Sequence, residues 1–146
     1  MPSVADVFQK VTSAPVIVKE NDNIKAIHQK MLQNNPVFRS VYVVNEMNQL
    51  AGKITLQEIL KVIAVRKGIT GSKSFSVKTL FEYVANDLTA KTIMSPPVSV
   101  KLADSLEEAL QKMISGKIEE VAVIDEAGSI IGDLNAYELL SEMKIL

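Results

Sequence analysis

The chain has 146 residues, is 47% hydrophobic and balances 16 basic against 17 acidic residues. That is enough apolar material for one compact module, and the near-neutral charge argues against an electrostatic nucleic-acid binder, which carries a basic excess. Zero cysteines exclude disulfides and thiolate chemistry; with no basic–apolar leader at Met1 to Asp6 and no run long enough to span a bilayer, a cytoplasmic chain without signal peptide or membrane insertion is expected.

Ser3 to Phe8 is a short amphipathic lead. Val16-Ile17-Val18, after Pro15, reads as a short buried strand. Asp22 offers a helix N-cap, and Ile24, Ile27, Met31 and Leu32 recur at helical spacing until Asn34-Asn35-Pro36 stops the helix. His28, the sole histidine, sits on this stripe and is expected to be partly buried and hydrogen-bonded. Val41 to Val44 reads as a strand, residues 45 to 49 turn, and Leu50 to Ile54 returns. Leu56, Ile59, Leu60 and Ile63 mark a second helix. Arg66 to Ser74 is a polar, basic, glycine-containing loop whose spacing does not match a phosphate loop. Val77, Leu80, Phe81 and Val84 then repeat at three and four, giving an extra amphipathic helix.

From Thr89 onward the parts recur. Thr89 to Met94 matches the lead, and Pro97-Val98-Ser99-Val100 matches the first strand. Ser105 and Glu108 stand at capping-box spacing before a stripe of Leu106, Ala109, Leu110, Met113 and Ile114. Val121 to Leu134 repeats Val41 to Ile54 in a constant register of 80, and Tyr137, Leu140 and Met143 mark the last helix. Gly128 takes the place of Asn48, as a left-handed turn position requires. Gly52 and Gly132 agree outright, which marks positions where a side chain would block close approach. Each copy is thus a control for the other.

The residues Val43-Val44-Asn45 through Gly52-Lys53-Ile54-Thr55-Leu56-Gln57-Glu58, their counterparts Val123-Ile124-Asp125 through Gly132-Asp133-Leu134-Asn135-Ala136-Tyr137-Glu138, and the lead Thr92-Ile93-Met94-Ser95-Pro96 resemble the CBS domain. Two ordered copies resemble its tandem pair, the Bateman module. The resemblance implies an α/β fold of two βαββα repeats packed about a pseudo-twofold axis, with the extra helix inserted. The sequence boundaries are 1–63 for the first repeat with its lead, 64–88 for the inserted loop and helix, and 89–146 for the second repeat. It further implies a stand-alone regulatory module without catalysis, an adenine nucleotide (AMP, ADP or ATP) or S-adenosylmethionine as ligand, a flat homodimer, and a regulated enzyme or transporter as partner.

The family's ligand motif places Ser or Thr, then Asp three residues later, at the start of each repeat's last helix, where free N–H groups and the helix dipole favour an anion. Here the first copy has Thr55 and Glu58 and the second Asn135 and Glu138. Both pairs are also capping boxes or near variants. Arg39, before the strand Val41 to Val44, matches a basic residue that faces phosphate in the family; its counterpart is Glu119, followed by Glu120. The resemblance pairs Arg39, Thr55 and Glu58 with Pro97 and Val98 as a first site. It pairs Asn135 and Glu138 with Val16 and Ile17 as a weaker second site. No metal, catalytic residue or required cofactor is expected; with one histidine and no cysteine, no nucleophile–base pair is assembled. Two other readings stand beside this one. An assembly module with degenerate clefts would act through a dimer face or through the inserted helix carrying Phe75, Phe81 and Tyr83. A divalent-cation sensor linked to transport would use Glu119, Glu120 and Glu138.

Overall fold

A computed structural model describes residues 2–9, 14–33, 40–69 and 75–145. In chain order the elements are α1 (Val4–Val7), β1 (Ile17–Lys19), α2 (Ile24–Gln33), β2 (Ser40–Val44), β3 (Leu50–Thr55), α3 (Leu56–Arg66), α4 (Val77–Val84), α5 (Ala90–Ile93), β4 (Ser99–Lys101), α6 (Leu106–Gly116), β5 (Glu120–Ile124), β6 (Ile130–Asn135) and α7 (Ala136–Glu142). They form two three-stranded sheets, β1-β2-β3 and β4-β5-β6, each with its first strand parallel to its second. The mixed α/β architecture with a βαββα order in each copy is as expected. The stop at Asn34 to Pro36 and the segment Gly71 to Ser74 lie outside the described residues.

The chain divides into two units that cut across the sequence repeats. One comprises residues 16–44 and 51–96, the other 1–15, 45–50 and 97–146. Each repeat core therefore holds the other repeat's lead. Ala90 and Ile93 of α5 lie in the core of Val18, Ile27, Val41, Val43, Ile54, Ile59 and Val62. Val4 and Val7 of α1 lie in the core of Val100, Leu106, Ala109, Met113, Val121, Val123, Leu134 and Leu139. Backbone bonds fix α1 there, from Val4 N to Asp104 O at 2.9 Å and Ala5 N to Leu102 O at 3.0 Å.

The glycines explain how the leads dock. A Cβ on Gly52 would stand 2.6 Å from Met94 Sδ, and one on Gly132 would strike the Phe8 ring and stand 2.6 Å from Gln9 Oε1. Met94 and Phe8 are the matching lead positions, so each bare strand position is the floor on which a lead lies. The turn positions also agree, with Asn48 at φ 59 and Gly128 at φ 88. Gln49 of the first turn and Leu50 at the start of β3 donate to the carbonyls of Ala127 and Gly128, at 3.0 and 2.9 Å.

Several local expectations are corrected. The α2 cap is Asn23, whose Oδ1 accepts Ala26 N at 2.9 Å; Asp22 is spent on its own turn, accepting Lys19 N. Asp104 does the same for Lys101 N, leaving Ser105 to cap α6. Helix α3 runs through Val65, which is buried, to Arg66, so Arg66 is helical rather than loop. Leu32, Leu60, Leu110, Ile114, Tyr137 and Leu140 are exposed, because the buried arc of each helix is narrower than its apolar stripe. His28 is exposed as well, on the outer side of α2.

Candidate functional site

The strand β3 ends at Thr55, whose extended backbone (φ −92, ψ 169) makes it the N-cap of α3. The first turn then offers backbone N–H groups with no helical partner. Glu58 folds back in a capping box: its Oε2 accepts Thr55 N at 3.0 Å and also the Thr55 hydroxyl. Its other oxygen, Oε1, accepts Ser95 Oγ at 2.5 Å. Ser95 is held against β3 by a reciprocal backbone pair with Lys53, at 3.1 and 2.8 Å. A carboxylate has about four acceptor positions, so three donors leave Glu58 room for one more. Thr55 and Glu58 are half-buried, within reach of solvent.

Helix α4 closes one side. Arg66, at the end of α3, donates from Nε to Tyr83 O at 2.9 Å and from Nη2 to Ala85 O at 2.8 Å, tying down the α4 C-terminus. Tyr83 packs against the core. Burial, reinforced by the Glu58 and Glu82 carboxylates, raises its phenol above the ordinary tyrosine range. Of the other inserted aromatics, Phe75 is half-buried and Phe81 is 73% exposed.

The matching place in the second repeat is closed. Asn135 caps α7, its side chain accepting Glu138 N at 3.2 Å while Glu138 Oε1 accepts Asn135 N at 3.1 Å. Glu138 has no exposed surface and Asn135 is buried. A fully buried carboxylate is held there by its hydrogen bonds, since an unpaired buried charge is costly. Where the first copy has Ser95, this unit has Gln9, left-handed at φ 59, with a buried Oε1 that has no partner among the described residues.

The remaining predicted positions are distributed as follows. Val16 and Ile17 are half-buried, and the Val16 carbonyl accepts Tyr42 N at 3.1 Å. Pro97 is exposed, and Val98 packs on the core of its own unit. Arg39 lies outside the described residues. Glu119 is exposed, but Glu120 is buried on β5 rather than solvated at an edge, because β5 is covered along its whole length to Val123. Among the described residues no cluster of three or more acidic or histidine side chains could hold a metal ion, so Glu119, Glu120 and Glu138 do not converge as a cation site. Two features went unread in the sequence. One is Ser95 on Glu58. The other is a repeated brace, Lys30 Nζ to Ile17 O at 3.2 Å and Lys112 Nζ to Ser99 O at 2.6 Å. The 82-residue offset shared by the two helices could have revealed the brace; Ser95 carried no such signal.

The CBS domain profile matches residues 4–65 and 90–145. The chain belongs to the CBS domain family. Among solved structures, a CBS domain-containing protein from Thermotoga maritima is 33% identical, with 99% of this chain and 97% of that one covered and a TM-score of 0.79. A CBS domain protein from Pyrobaculum aerophilum complexed with AMP is 18% identical over 96% of this chain and 92% of that one, TM-score 0.72. A CBS domain pair in complex with 5′-methylthioadenosine and S-adenosyl-L-methionine is 18% identical over 97% and 94%, TM-score 0.70. A comparison with curated proteins finds no match. Among the described residues no helix is long and apolar enough to cross a membrane.

Proposed function

We propose that this CBS protein is a regulatory module that binds an adenine nucleotide or adenosyl compound, performs no catalysis itself, and acts on a partner enzyme or transporter. The observation that carries the reading is the α3 N-terminus, where the Thr55 hydroxyl, the first-turn N–H groups and the half-buried Glu58 carboxylate converge in a family member. Phosphate would meet the N–H groups and Thr55, aided by Arg39. Ribose hydroxyls would donate to Glu58, taking its open acceptor position and that now filled by Thr55. Relatives of the same fold complexed with AMP and with S-adenosyl-L-methionine support this ligand class. The buried Asn135 and Glu138 make the second copy the weaker site.

Calorimetry with AMP, ADP, ATP and S-adenosylmethionine tests the proposal. One of them is expected to bind, and Glu58→Gln or the Thr55→Ala, Arg39→Ala double variant to weaken it by about tenfold or more, each lost charged hydrogen bond contributing about 1.5–3 kcal/mol. No heat from any of the four overturns the ligand class, and unchanged affinity in the double variant overturns the residue assignment. A protein-interaction role has one specific observation in its favour: Val77, Phe81 and Val84 form an exposed apolar stripe on α4. Phe81→Ser would abolish partner capture without altering nucleotide affinity if that role holds.

A further inference from the structure

Ser95 is fixed by its backbone before its side chain makes any contact. Pro96 follows it, and a residue before proline is held in extended backbone. On the other side Met94 N donates to Ala90 O at 2.9 Å, and Ala90 and Ile93 are buried in the core. The reciprocal backbone pair with Lys53 then locks Ser95 beside the end of β3. Its hydroxyl starts from a rigid base.

Glu58 has no such base. A glutamate carboxylate lies beyond several rotatable bonds, and this one is only half-buried. Thr55 engages Oε2 alone, through its N–H and its hydroxyl. Both donors belong to one residue, so by themselves they let the carboxylate swivel about that oxygen. Ser95 engages Oε1 at 2.5 Å, the length of a charge-assisted O–H···O⁻ bond. With its two oxygens held from different segments, the carboxylate plane is set. Its one remaining acceptor position, on Oε1, then points in a fixed direction.

The second copy differs at both members of this pair. The matched lead position is Gln9, left-handed at φ 59, and the matched carboxylate, Glu138, has no exposed surface. A lead hydroxyl bonded to a carboxylate within reach of solvent belongs to the first copy.

We infer that Ser95 is a positioning residue: it holds Glu58 Oε1 so that the carboxylate accepts one ribose hydroxyl and discriminates against a nucleotide lacking that hydroxyl. The inference rests on the nucleotide reading of the α3 N-terminus. Preorganisation is its physical reason. A carboxylate already held has given up rotamer freedom before the ligand arrives. Nor can it turn to another donor when the ligand hydroxyl is missing, so the deoxy analogue leaves a fixed acceptor position unpaired beneath it. Without Ser95 the carboxylate swings toward Thr55, and a missing hydroxyl matters little.

Calorimetry on the full chain tests this with AMP, ADP and ATP, each beside its 2′-deoxy and 3′-deoxy form. In the wild type, the ribonucleotide that binds is expected to exceed one of its deoxy forms by about tenfold or more, the worth of one hydrogen bond to a charged group. Ser95→Ala is expected to bring that ratio within about threefold of unity. Ser95→Cys, which fills the same space with a weak donor, should reduce it likewise. Ser95→Thr keeps the hydroxyl and should keep the ratio. A serine that merely propped the fold would weaken all forms together and leave the ratio unmoved. An unchanged ratio in Ser95→Ala and Ser95→Cys, or a wild type indifferent to both deoxy forms, overturns the inference and leaves the nucleotide reading standing. Absence of binding by all three ribonucleotides overturns the nucleotide reading as well.

Discussion

A methyl group at Gly52 would place a carbon 2.6 Å from Met94 Sδ, 2.8 Å from Cγ and 2.9 Å from Cβ. The first two atoms can swing away, since methionine has three rotatable bonds. Its Cβ cannot, being fixed to the α5 backbone. Carbon atoms rest at about 3.5–4.0 Å, so α5 must retreat by about 0.6–1 Å. That retreat pulls on the Lys53–Ser95 backbone pair and on Ala90 and Ile93 in the core. Overpacking of this kind costs about 1–3 kcal/mol. With about 2 kcal/mol for Gly52→Ala, the melting temperature should fall by about 4–8 °C, and urea unfolding should shift its midpoint without changing slope. Met94→Gly removes all three clashing atoms, so the double variant should lose less than the sum of the single losses. A Gly52→Ala protein within about 0.3 kcal/mol of wild type, or strict additivity, would show that the bare strand position is not what seats the lead. Gly68 supplies a contrast: nothing lies within 4 Å of its added Cβ and φ is +73, so alanine there should cost only the left-handed penalty of about 1 kcal/mol.

Three further outcomes follow from the same geometry. Gly128→Ala should destabilise by about 1 kcal/mol because φ is 88, whereas Asn48→Gly should change stability by a few tenths at most; chemical denaturation separates them. Tyr83 should ionise above the usual tyrosine range, from burial first and then from Glu58 and Glu82, so Tyr83→Phe should remove one tyrosine's amplitude from the part of the ultraviolet titration above the usual range. Since its folded pKa is the raised one, its contribution is fully present below the unfolded value of 10.0 and is lost as pH rises through the folded value. Ser105→Ala should cost about 1 kcal/mol by leaving Glu108 N without its cap, read as a drop in thermal stability.

The α/β class, the two βαββα copies and the turn at Asn48 and Gly128 were legible in the sequence, because they depend on period, β-branching and the sign of φ, all local quantities. The Thr55–Glu58 pair was legible for the same reason, as a hydroxyl and a carboxylate three residues apart at a helix start. Its environment was not. That Ser95 donates to Glu58, that Tyr83 lies near the same carboxylate, and that Glu138 is fully buried while Glu58 is half-exposed are contacts between distant segments. Helix faces were misread for Leu32, Leu60, Leu110, Ile114, Tyr137 and Leu140, since hydrophobicity alone cannot say whether an apolar side chain meets a core or remains exposed. By itself the sequence determined the repeated architecture and the chemistry available at each copy. Only the tertiary structure decided that each lead serves the other repeat, because Gly52 and Gly132 advertise a vacant floor but not which segment will lie on it; chain connectivity and packing choose between two leads of the same amphipathic pattern.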